Sequence, residues 1–597
     1  MIYQKLPLNI TTDEVVALKS KFQQAVDNIN QNGAKKVKPY LTIFDESLQV
    51  ELSSVLQKNT ALHEVIKKVD NSGDFYHVNL THSDPEILNM PWGIALDPTT
   101  ENRRLMDIRR LFISKSTFDK FIQKMPVQTA GPLKILVMIS MPENSPYSGR
   151  LRFEEEEYKI ITAFMPLFKS GSIQIDYTDN GSLNALRRKI KLNDYHILHF
   201  SGHGRFVEND EKGDKKGGCL ALENDMDSMF EEVSGDEFAE ALLKPDHTIP
   251  LVVLSACETA KSNIDKGFAS VTESLLKRGI AAVVSMGASV RDDYATEFAS
   301  FFYQSVADKT PLAQAFSEAQ NKISDMERKE IAEHRLKREP IQWLIPNLYV
   351  NADSDIEIVD WKQPFDAIRP ESTDKLFVNA TLTKSTSDND IFVGRKKDIA
   401  KIMPKLNDKK PVMLTGQGGI GKTSLALKLI QRLTAYQPDL VCFVFNQEGM
   451  EFDITKVYKE LRITCKKHNR RDWVNDAEED YEKEMDKISY LLEMLSKDFP
   501  VLILFDNIES FQDISTGSFK TDFESTLKVI KIITKNENLC TILTGRYPVN
   551  ELKQEIAYVD VNDISENDFL RKCSNLGFFR GKRQQLELKP LITLYKT

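Results

Sequence analysis

Pro-Leu-Val-Val-Leu-Ser-Ala-Cys-Glu-Thr-Ala, residues Pro250–Ala260, is an apolar run of strand length that ends in small residues. Cys257 lies where this strand opens into a loop. A second apolar run, Tyr195–Phe200, is followed by Ser-Gly-His-Gly, in which the histidine is His203. Because reacting groups in open α/β sheets gather at the carboxyl ends of the strands, we expect Cys257 and His203 to form a nucleophilic pair in one crevice.

The pattern around these two runs predicts an α/β fold, since short apolar runs alternate with stretches of helical spacing. The predicted strands are Leu133–Ser140, Ile173–Tyr177, Tyr195–Phe200, Leu251–Ser255 and Ala281–Ser285. The predicted helices are Thr12–Asn28, Val50–Val69, Arg152–Leu167, Ser182–Lys191, Ser234–Leu243, Phe268–Arg278, Thr296–Tyr303 and Pro311–Glu327. Strands separated by helices imply parallel βαβ units, and uniformly apolar strands imply a sheet that is covered on both faces.

Length and composition narrow the class of protein. A chain of 597 residues is too long for a single core, so we expect several domains. The formal net charge of −9 argues against a general nucleic-acid binder. The N-terminus carries no secretion signal, no apolar run reaches the roughly 18 residues of a membrane helix, and the cysteines show no paired spacing. We therefore expect a cytoplasmic protein with no nucleic-acid or membrane partner.

Cys257 and His203 suit nucleophilic catalysis, because an imidazole can accept the proton of a neighbouring thiol and leave a reactive thiolate. Gly204, directly after the histidine, could present its backbone N–H to a developing oxyanion. Buried cysteines at strand ends are also commonly inert, and an isolated histidine is usually a packing residue; we expect this packing role for His196 and His199. The residues alone leave both interpretations of the pair open.

Two motifs, His199-Phe200-Ser201-Gly202-His203-Gly204 and Leu254-Ser255-Ala256-Cys257-Glu258-Thr259-Ala260, resemble the CHAT family of caspase-like cysteine peptidases, which are related to caspases and separases. Further similar segments are Asn89-Met90-Pro91-Trp92, Gly279–Val284 with Val290-Arg291-Asp292, Phe301-Phe302-Tyr303 and Trp343–Tyr349. The resemblance spans roughly residues 80–352. It implies a caspase-like α/β domain with a parallel sheet.

The resemblance also implies roles for individual residues. His203 would be the general base and Cys257 the nucleophile, with an oxyanion hole formed by the backbone N–H groups of Gly204 and Cys257. The chain has Gly287-Ala288 where the family often carries a tryptophan, so we expect a different pocket shape there. Asp292 is a candidate for binding a basic substrate residue, since this clan often cuts after one, and a local cap or ion pair is its alternative role.

A second α/β block follows a polar linker. Residues 416–423, Gly-Gln-Gly-Gly-Ile-Gly-Lys-Thr, fit G-x-x-x-x-G-K-[ST] between a predicted strand, Val412–Thr415, and a predicted helix, Ser424–Leu433. Lys422 would neutralise the β- and γ-phosphates of a nucleotide, and Thr423 would offer its hydroxyl to Mg²⁺. The glycines let backbone N–H groups surround phosphate oxygens at a helix N-terminus. The predicted phosphate-binding residues are Gly416, Gly418, Gly419, Gly421, Lys422, Thr423 and Ser424.

Downstream, the apolar strand Val501–Phe505 ends in Asp506, which is the Walker B arrangement for holding Mg²⁺. An ordinary buried strand with a terminal acid is the alternative. Together with Phe392-Val393-Gly394-Arg395 and Ile542-Leu543-Thr544-Gly545-Arg546, the block resembles the STAND class of signalling NTPases, near the NB-ARC and NACHT groups.

That resemblance implies ATP or ADP with Mg²⁺ as cofactors, Thr423 and Asp506 as metal ligands, and Arg395 among the nucleotide-binding residues. Arg546 matches the arginine with which the class senses the γ-phosphate. Asn507 rather than a glutamate follows Asp506, so we expect slow hydrolysis. Glu509 is a candidate substitute base that no motif supports.

These features predict four segments: an accessory region over residues 1–130, a peptidase core over 131–352, a linker over 353–390, and an NTPase block over 391–597 that is incomplete at its C-terminal end. We expect a nucleotide-regulated cysteine endopeptidase that cleaves a protein partner, forms a homo-oligomer on activation and responds to an unidentified trigger or sensor partner. By family analogy its setting is bacterial defence or regulated cell death. The alternative is a nucleotide-dependent signalling scaffold with an inactive peptidase fold.

Overall fold

The computed structural model separates the chain into two compact units, Met1–Ala367 and Ile368–Thr597. It describes residues 1–33, 46–100, 102–116, 129–142, 160, 164, 167, 170–207, 217–225, 229–256, 266–286, 292–333, 345–352, 354–365, 392, 394–437, 439–445, 453–513 and 515–564. Within these ranges, no helix combines the length and the apolar character required to cross a bilayer.

One sheet organises the first unit, and it contains 11 of the described strands. The strands are β1 (Ile2–Pro7), β2 (Tyr76–Thr81), β3 (Leu111–Ser116), β4 (Leu133–Ile139), β5 (Ile173–Tyr177), β6 (Ile197–Val207), β7 (Gly217–Glu223), β8 (Phe230–Ser234), β9 (Leu251–Ala256), β10 (Ala282–Met286) and β11 (Pro346–Val350). Their order is β1-β2-β3-β11-β10-β9-β6-β4-β5, and β7 and β8 continue from β6 as antiparallel neighbours. The α/β prediction and its five strands are confirmed.

The sheet consists of two parallel halves that run in opposite directions. β1, β2, β3 and β11 are parallel to one another. β10 is antiparallel to β11, whereas β10, β9, β6, β4 and β5 are again mutually parallel. The prediction of a parallel sheet therefore holds within each half, and the carboxyl ends of β6 and β9 lie at the same edge.

The first unit also contains nine described α-helices, and several of them contact strands of this sheet. The nine helices are α1 (Thr12–Gly33), α2 (Glu46–Gln57), α3 (Thr60–Asn71), α4 (Pro85–Asn89), α5 (Leu183–Leu192), α6 (Gly235–Glu240), α7 (Lys266–Lys277), α8 (Asp292–Ala307) and α9 (Leu312–Ala332). The prediction of a single helix over Val50–Val69 is wrong, because α2 ends at Gln57 and a separate helix, α3, begins at Thr60. There Asn59 caps α3 by accepting a hydrogen bond from the Leu62 N–H at 3.1 Å. Most of the predicted helix Arg152–Leu167 lies outside the described residues.

The predicted linker begins too early at residue 353. Ile356, Ile358 and Val359 are buried in the first unit, and the Asp360 N–H donates to the Thr129 carbonyl at 2.9 Å. Apolar side chains in this otherwise polar stretch hold it against the unit. Residues 366–391, which include most of the predicted linker, lie outside the described residues.

The second unit contains a sheet of 5 parallel strands in the order β13-β14-β15-β12-β16. Its strands are β12 (Val412–Thr415), β13 (Val441–Phe445), β14 (Val501–Phe505), β15 (Leu539–Gly545) and β16 (Ala557–Asp560). Its helices are α10 (Lys396–Asn407), α11 (Lys422–Tyr436), α12 (Ile454–Lys467), α13 (Arg471–Asp480), α14 (Glu484–Asp498) and α15 (Glu524–Lys535).

Both faces of this second sheet are buried. Along β14, Val501, Ile503 and Phe505 belong to one apolar cluster, and the alternate residues Leu502 and Leu504 belong to another. Such alternation places successive side chains on opposite faces of the strand. Each large aliphatic side chain that is fully buried contributes about 1.5–3 kcal/mol of transfer free energy, so the uniformly apolar sequence specifies a central strand.

Candidate functional site

The strand that carries His203 is longer than the sequence predicts. β6 was expected to end at Phe200 and to leave His203 in a loop, but it extends to Val207. Up to Gly202 it pairs in parallel with β9, and from His203 onward it pairs antiparallel with β7, with His203 opposite Ala221. The loop prediction was wrong because β7, a strand that was not predicted, supplies a new partner where β9 ends.

Close packing explains the glycine directly before the histidine. A Cβ atom at Gly202 would lie 2.6 Å from Cζ of Phe200. The Phe200 ring is fully buried and meets the Phe238 ring edge-on, with 5.5 Å between the centroids. The core therefore holds the backbone of β6 tightly at the residue that precedes His203.

His203 itself is buried, with 8% of its surface exposed, and Gly204 is half-buried. Cys257 lies outside the described residues. The residue before it, Ala256, ends β9 and pairs with Gly202 of β6. His203 and Cys257 thus follow, by one residue each, two positions that are paired across neighbouring strands.

Two polar residues that the sequence analysis missed tie the end of β7 to the segment that follows β4. The Ser140 hydroxyl shares its single hydrogen between the carbonyls of Ala221, at 2.9 Å, and Gly181, at 3.1 Å. Glu223, fully buried, accepts hydrogen bonds from the backbone N–H groups of Met141, at 2.8 Å, and Gly181, at 3.1 Å. These bonds brace the strand opposite His203; the apolar run Cys219–Leu222 ending in an acid was the available signal.

His199, on β6, and His196, the residue directly before β6, are buried in the core, as expected. His199 Nδ1 lies 2.8 Å from the Tyr303 hydroxyl, and burial lowers the pKa of His199 to about 4. His196 contacts the Thr129 hydroxyl at 2.8 Å, and burial lowers its pKa to about 4 as well. Both rings are therefore neutral near pH 7.

Asp292, the candidate for binding a basic substrate residue, is the first residue of α8. Its side chain lies outside the described residues. The role of Asp292 stays a prediction.

In the second unit, the glycine-rich segment connects β12 to α11 in the strand–loop–helix order that was predicted. Gly416 has a φ of 148° and Gly421 a φ of 97°, values that side-chain-bearing residues rarely adopt. At Gly416, a Cβ atom would also lie 2.6 Å from the carbonyl oxygen of Val561. The loop geometry therefore requires glycine at the position where the chain leaves the strand.

Lys422 lies under this loop and is buried, with 6% exposed. Its Nζ donates to the carbonyls of Gly416, at 2.9 Å, and Gln417, at 2.8 Å. Burial lowers the pKa of Lys422 below its ordinary value, and the neighbouring charge of Glu509 opposes that shift. Two neutral backbone carbonyls of the loop thus hold the Lys422 ammonium, and the oxygens of an anion could replace them.

The predicted metal ligands are in direct contact. The Thr423 hydroxyl donates to both carboxylate oxygens of Asp506, at 2.9 and 3.1 Å. Asp506 is buried and also accepts from the Thr544 hydroxyl, whose oxygen in turn accepts from the Asn507 N–H at 3.0 Å. Thr544, on β15 between β12 and β14, was missed because its role depends on strand order. Hydroxyl and carboxylate oxygens form a donor set that fits Mg²⁺.

Arg546 follows β15 and lies over the loop. Its Nε is 3.3 Å from Glu509 Oε1, and a Cβ atom at Gly418 would approach its Nη2 to 3.1 Å. The side chain is 55% exposed. The second oxygen of Glu509, Oε2, is buried and has no hydrogen-bond partner among the described residues. Arg546 and Glu509 therefore lie together beside the glycine-rich loop.

Arg395 is used differently from the other predicted nucleotide-binding residues. It is buried, with 8% exposed, in a left-handed backbone conformation with a φ of 69°. Its guanidinium donates to the carbonyls of Ile420, at 2.5 Å, and Asn562. Arg395 braces the loop from behind, while Ser424 is exposed in the first turn of α11.

Residues 56–352 match the family model described as CHAT domain. This match agrees with the CHAT resemblance that the two motifs carry, and it lies within the first unit. No curated protein matches the sequence.

Three solved structures are similar at low identity. Gingipain R, an Arg specific cysteine proteinase, is 9% identical over 59% of this chain and 77% of its own, with a TM-score of 0.30. Separase in the Saccharomyces cerevisiae separase–securin complex is 12% identical over 57% and 22%, with a TM-score of 0.27. A Pyrococcus horikoshii STAND protein with a tetratricopeptide repeat sensor is 19% identical over 36% and 30%, with a TM-score of 0.26. The chain thus spans less than a third of the length of the STAND protein and of separase.

Proposed function

We propose that this chain, whose residues 56–352 match the CHAT domain, is a cysteine endopeptidase controlled by nucleotide binding in its second unit. The observation that carries the proposal is the register of β6 and β9, in which Gly202 pairs with Ala256. The general base, His203, and the nucleophile, Cys257, each follow one of these paired residues. The protein substrate would approach this edge of the sheet.

The proposed chemistry uses residues of this edge. His203 would take the proton from Cys257 Sγ, and the thiolate would attack a peptide carbonyl. The backbone N–H groups of Gly204 and Cys257 would donate to the resulting oxyanion. His203 would then return the proton to the leaving amine, and water would hydrolyse the thioester that remains on Cys257. Asp292 stands as the proposed acid for a basic substrate residue.

The second unit is proposed to bind ATP or ADP with Mg²⁺. A nucleotide would supply phosphate oxygens in place of the carbonyls that Lys422 now contacts, with Mg²⁺ neutralising part of their charge. Thr423 and Asp506 offer the oxygen ligands, and their contact at 2.9 Å brings both to one point. The backbone of the loop also supports this fit, because Gly416 and Gly421 have φ angles of 148° and 97° that glycine readily adopts.

Control would operate through a shift between two states. Converting an equilibrium of 1:99 into 99:1 takes about 5.5 kcal/mol of differential binding. Phosphate contacts of Lys422 and Arg546 could contribute part of this free energy, and contacts within a homo-oligomer or with a sensor partner would contribute the rest. By resemblance, we place the activity in bacterial defence or regulated cell death, in the cytoplasm.

The test is cleavage of a peptide library with mixed residues before the scissile bond, measured for wild type and Cys257→Ala, with and without ATP and Mg²⁺. We expect cleavage that Cys257→Ala and His203→Ala abolish and that ATP increases. Cys442→Ala is the matched control, because Cys442 is half-exposed on β13 of the second unit and should leave cleavage unchanged.

Equal cleavage by wild type and Cys257→Ala would contradict the peptidase proposal. A scaffold whose peptidase fold is inactive predicts a different pattern: Cys257→Ala would keep the cellular effect, and Lys422→Met, which weakens nucleotide binding, would remove it. Failure of the triggered, full-length assembly to cut any library member would also count against the enzyme.

A further inference from the structure

A buried lysine of the first unit lies beside a small cavity that the proposed peptidase reaction does not use. Lys115, on β3, is 7% exposed. Its Nζ donates to the Met90 carbonyl at 3.1 Å and to Asn347 Oδ1 at 2.5 Å. Both acceptors are neutral, and within the described part of the chain no carboxylate pairs with this amine.

The two acceptors are held in place by their own surroundings. Asn347 Nδ2 donates to the Ile345 carbonyl at 3.0 Å, so the amide oxygen is the atom turned toward Lys115. The Met90 carbonyl belongs to a fully buried residue ahead of the turn that contains Trp92. An ammonium carries three N–H groups, and these contacts occupy two of them. One donor of a charged Lys115 is therefore left for a ligand.

The cavity beside Lys115 has a volume of about 50 Å³. Its walls include the side chains of Trp92, Met106 and Phe316, and Lys115 is the only ionisable residue among those that line it in the described structure. A cavity that holds one water has a volume of about 10–15 Å³, so this cavity has room for a few non-hydrogen atoms. Acetate, with four such atoms, matches that size.

Charge balance limits which anion can enter. A buried ammonium without a counter-ion is costly, and one opposite charge offsets that cost. A dianion such as hydrogen phosphate would leave one negative charge uncompensated, because the polar residues that line the cavity beside Lys115, which are Ser317, Gln320 and Asn347, are neutral. A monoanion with a small apolar group would balance the single positive charge and place its apolar group against Trp92, Met106 and Phe316.

We propose that this cavity is a binding site for a small monocarboxylate, whose carboxylate accepts the free N–H of Lys115 while its apolar end contacts Trp92 and Phe316. The site is separate from the proposed peptidase reaction. β3 lies in the half of the sheet that runs opposite to β6 and β9, and β11 and β10 separate it from β9.

Protonation is linked to this binding. Burial lowers the pKa of Lys115 to about 7, so the empty site holds a neutral amine over much of the alkaline range. Tyr349, which pairs with Lys115 in the register of β3 and β11, is also buried, and burial raises its pKa, so it stays neutral there. Acetate would bind the ammonium form, and its apparent affinity should fall about tenfold per pH unit above pH 7.

The test is calorimetric titration of the full chain with sodium acetate between pH 6 and 9, against sodium chloride at equal ionic strength. We expect saturable acetate binding that weakens about tenfold per pH unit above pH 7 and takes up a proton, as seen by comparing buffers of different ionisation enthalpy. Lys115→Met should abolish it, with folding checked by circular dichroism.

Asn347→Asp provides a second variant that keeps the lysine. It places a carboxylate beside the amine, so acetate binding should be lost although the cation remains. Unchanged acetate affinity in either folded variant would overturn the proposal. So would the absence of binding at tens of millimolar acetate, or a chloride response equal to that of acetate.

Discussion

Two strand ends carry the proposed chemistry of this protein, and their glycines serve different purposes. At Gly202 the backbone is ordinary, and glycine is required because a Cβ atom would meet the Phe200 ring at 2.6 Å. At Gly416 the backbone has a φ of 148°, and the obstacle is the Val561 carbonyl at 2.6 Å. The first strand continues straight into a new pairing, whereas the second turns abruptly into a helix. Similar sequence signals thus produce different geometries.

The same contrast applies to two buried lysines. Lys422 and Lys115 each donate to two neutral oxygens. Lys422 has Glu509 and Asp506 near enough to favour its charge, whereas burial is the sole cause of the lowered pKa of Lys115. Lys422 is therefore suited to remain an ammonium, and Lys115 to gain or lose its proton near neutral pH.

The largest effect should come from Gly416→Ala. Backbone strain of about 1–3 kcal/mol adds to a clash with a carbonyl that cannot rotate away, so we expect the second unit to lose about 3 kcal/mol or more of unfolding free energy. Chemical denaturation measures this loss.

Gly418→Ala is the matched control for Gly416→Ala, because the neighbour of Gly418 is the flexible Arg546 side chain at 3.1 Å. Equal destabilisation by the two changes would contradict a backbone origin of the requirement at Gly416.

Gly202→Ala should destabilise the first unit by about 1–3 kcal/mol, the usual cost of overpacking a core. Because the obstacle is a side chain, Phe200→Leu should make the alanine less costly, and the coupling between the two changes is read from a double-mutant cycle. If the losses of unfolding free energy from Gly202→Ala and Phe200→Leu simply add in the double variant, the Phe200 ring is not the reason that glycine is required at position 202.

Lys115 should make the stability of the first unit depend on pH. Its pKa is about 7 in the folded chain and 10.5 in the reference state, so the unfolded chain binds more protons between these values and stability rises with pH there. The rise should be on the order of 1 kcal/mol per pH unit, measured by denaturation at pH 7, 8 and 9.

Lys115→Met should remove that slope, whereas a change at the exposed Lys67, Lys67→Met, should leave it intact. A slope that persists in the Lys115 variant would assign the pH dependence to another group.

The smallest effect should come from Glu223→Gln. The amide keeps one acceptor for the Met141 and Gly181 N–H groups but loses the charge that strengthens both bonds, so we expect a loss of about 1 kcal/mol. If Glu223 positions the strand opposite His203, the variant should also lower the rate of peptide cleavage at an unchanged apparent substrate affinity. A stability loss with an unchanged cleavage rate would restrict Glu223 to a structural role.

Much of the architecture could be predicted because it depends on neighbours in the chain. Apolar runs of strand length identified β4, β5, β9, β10 and β14 within a few residues. The motif over 416–423 correctly predicted a strand, a loop and a helix, since glycine and helix-capping preferences act over a few residues. His203 and Cys257 each follow an apolar run, and their catalytic roles stay a prediction.

Other features were decided only by the tertiary structure, because they depend on contacts between segments that are distant in the sequence. The antiparallel step between β10 and β11, the new partner of β6 at His203, and the contact of Thr544 with Asp506 all follow from strand order, which local patterns do not contain. The burial of Lys115 is the clearest case: its sequence neighbours are ordinary, and its pKa near 7 arises because Met90 and Asn347 approach it with neutral oxygens. Local sequence determined which segments are strands and helices, whereas packing between segments determined which side chains lose water, and loss of water is what changes their chemistry.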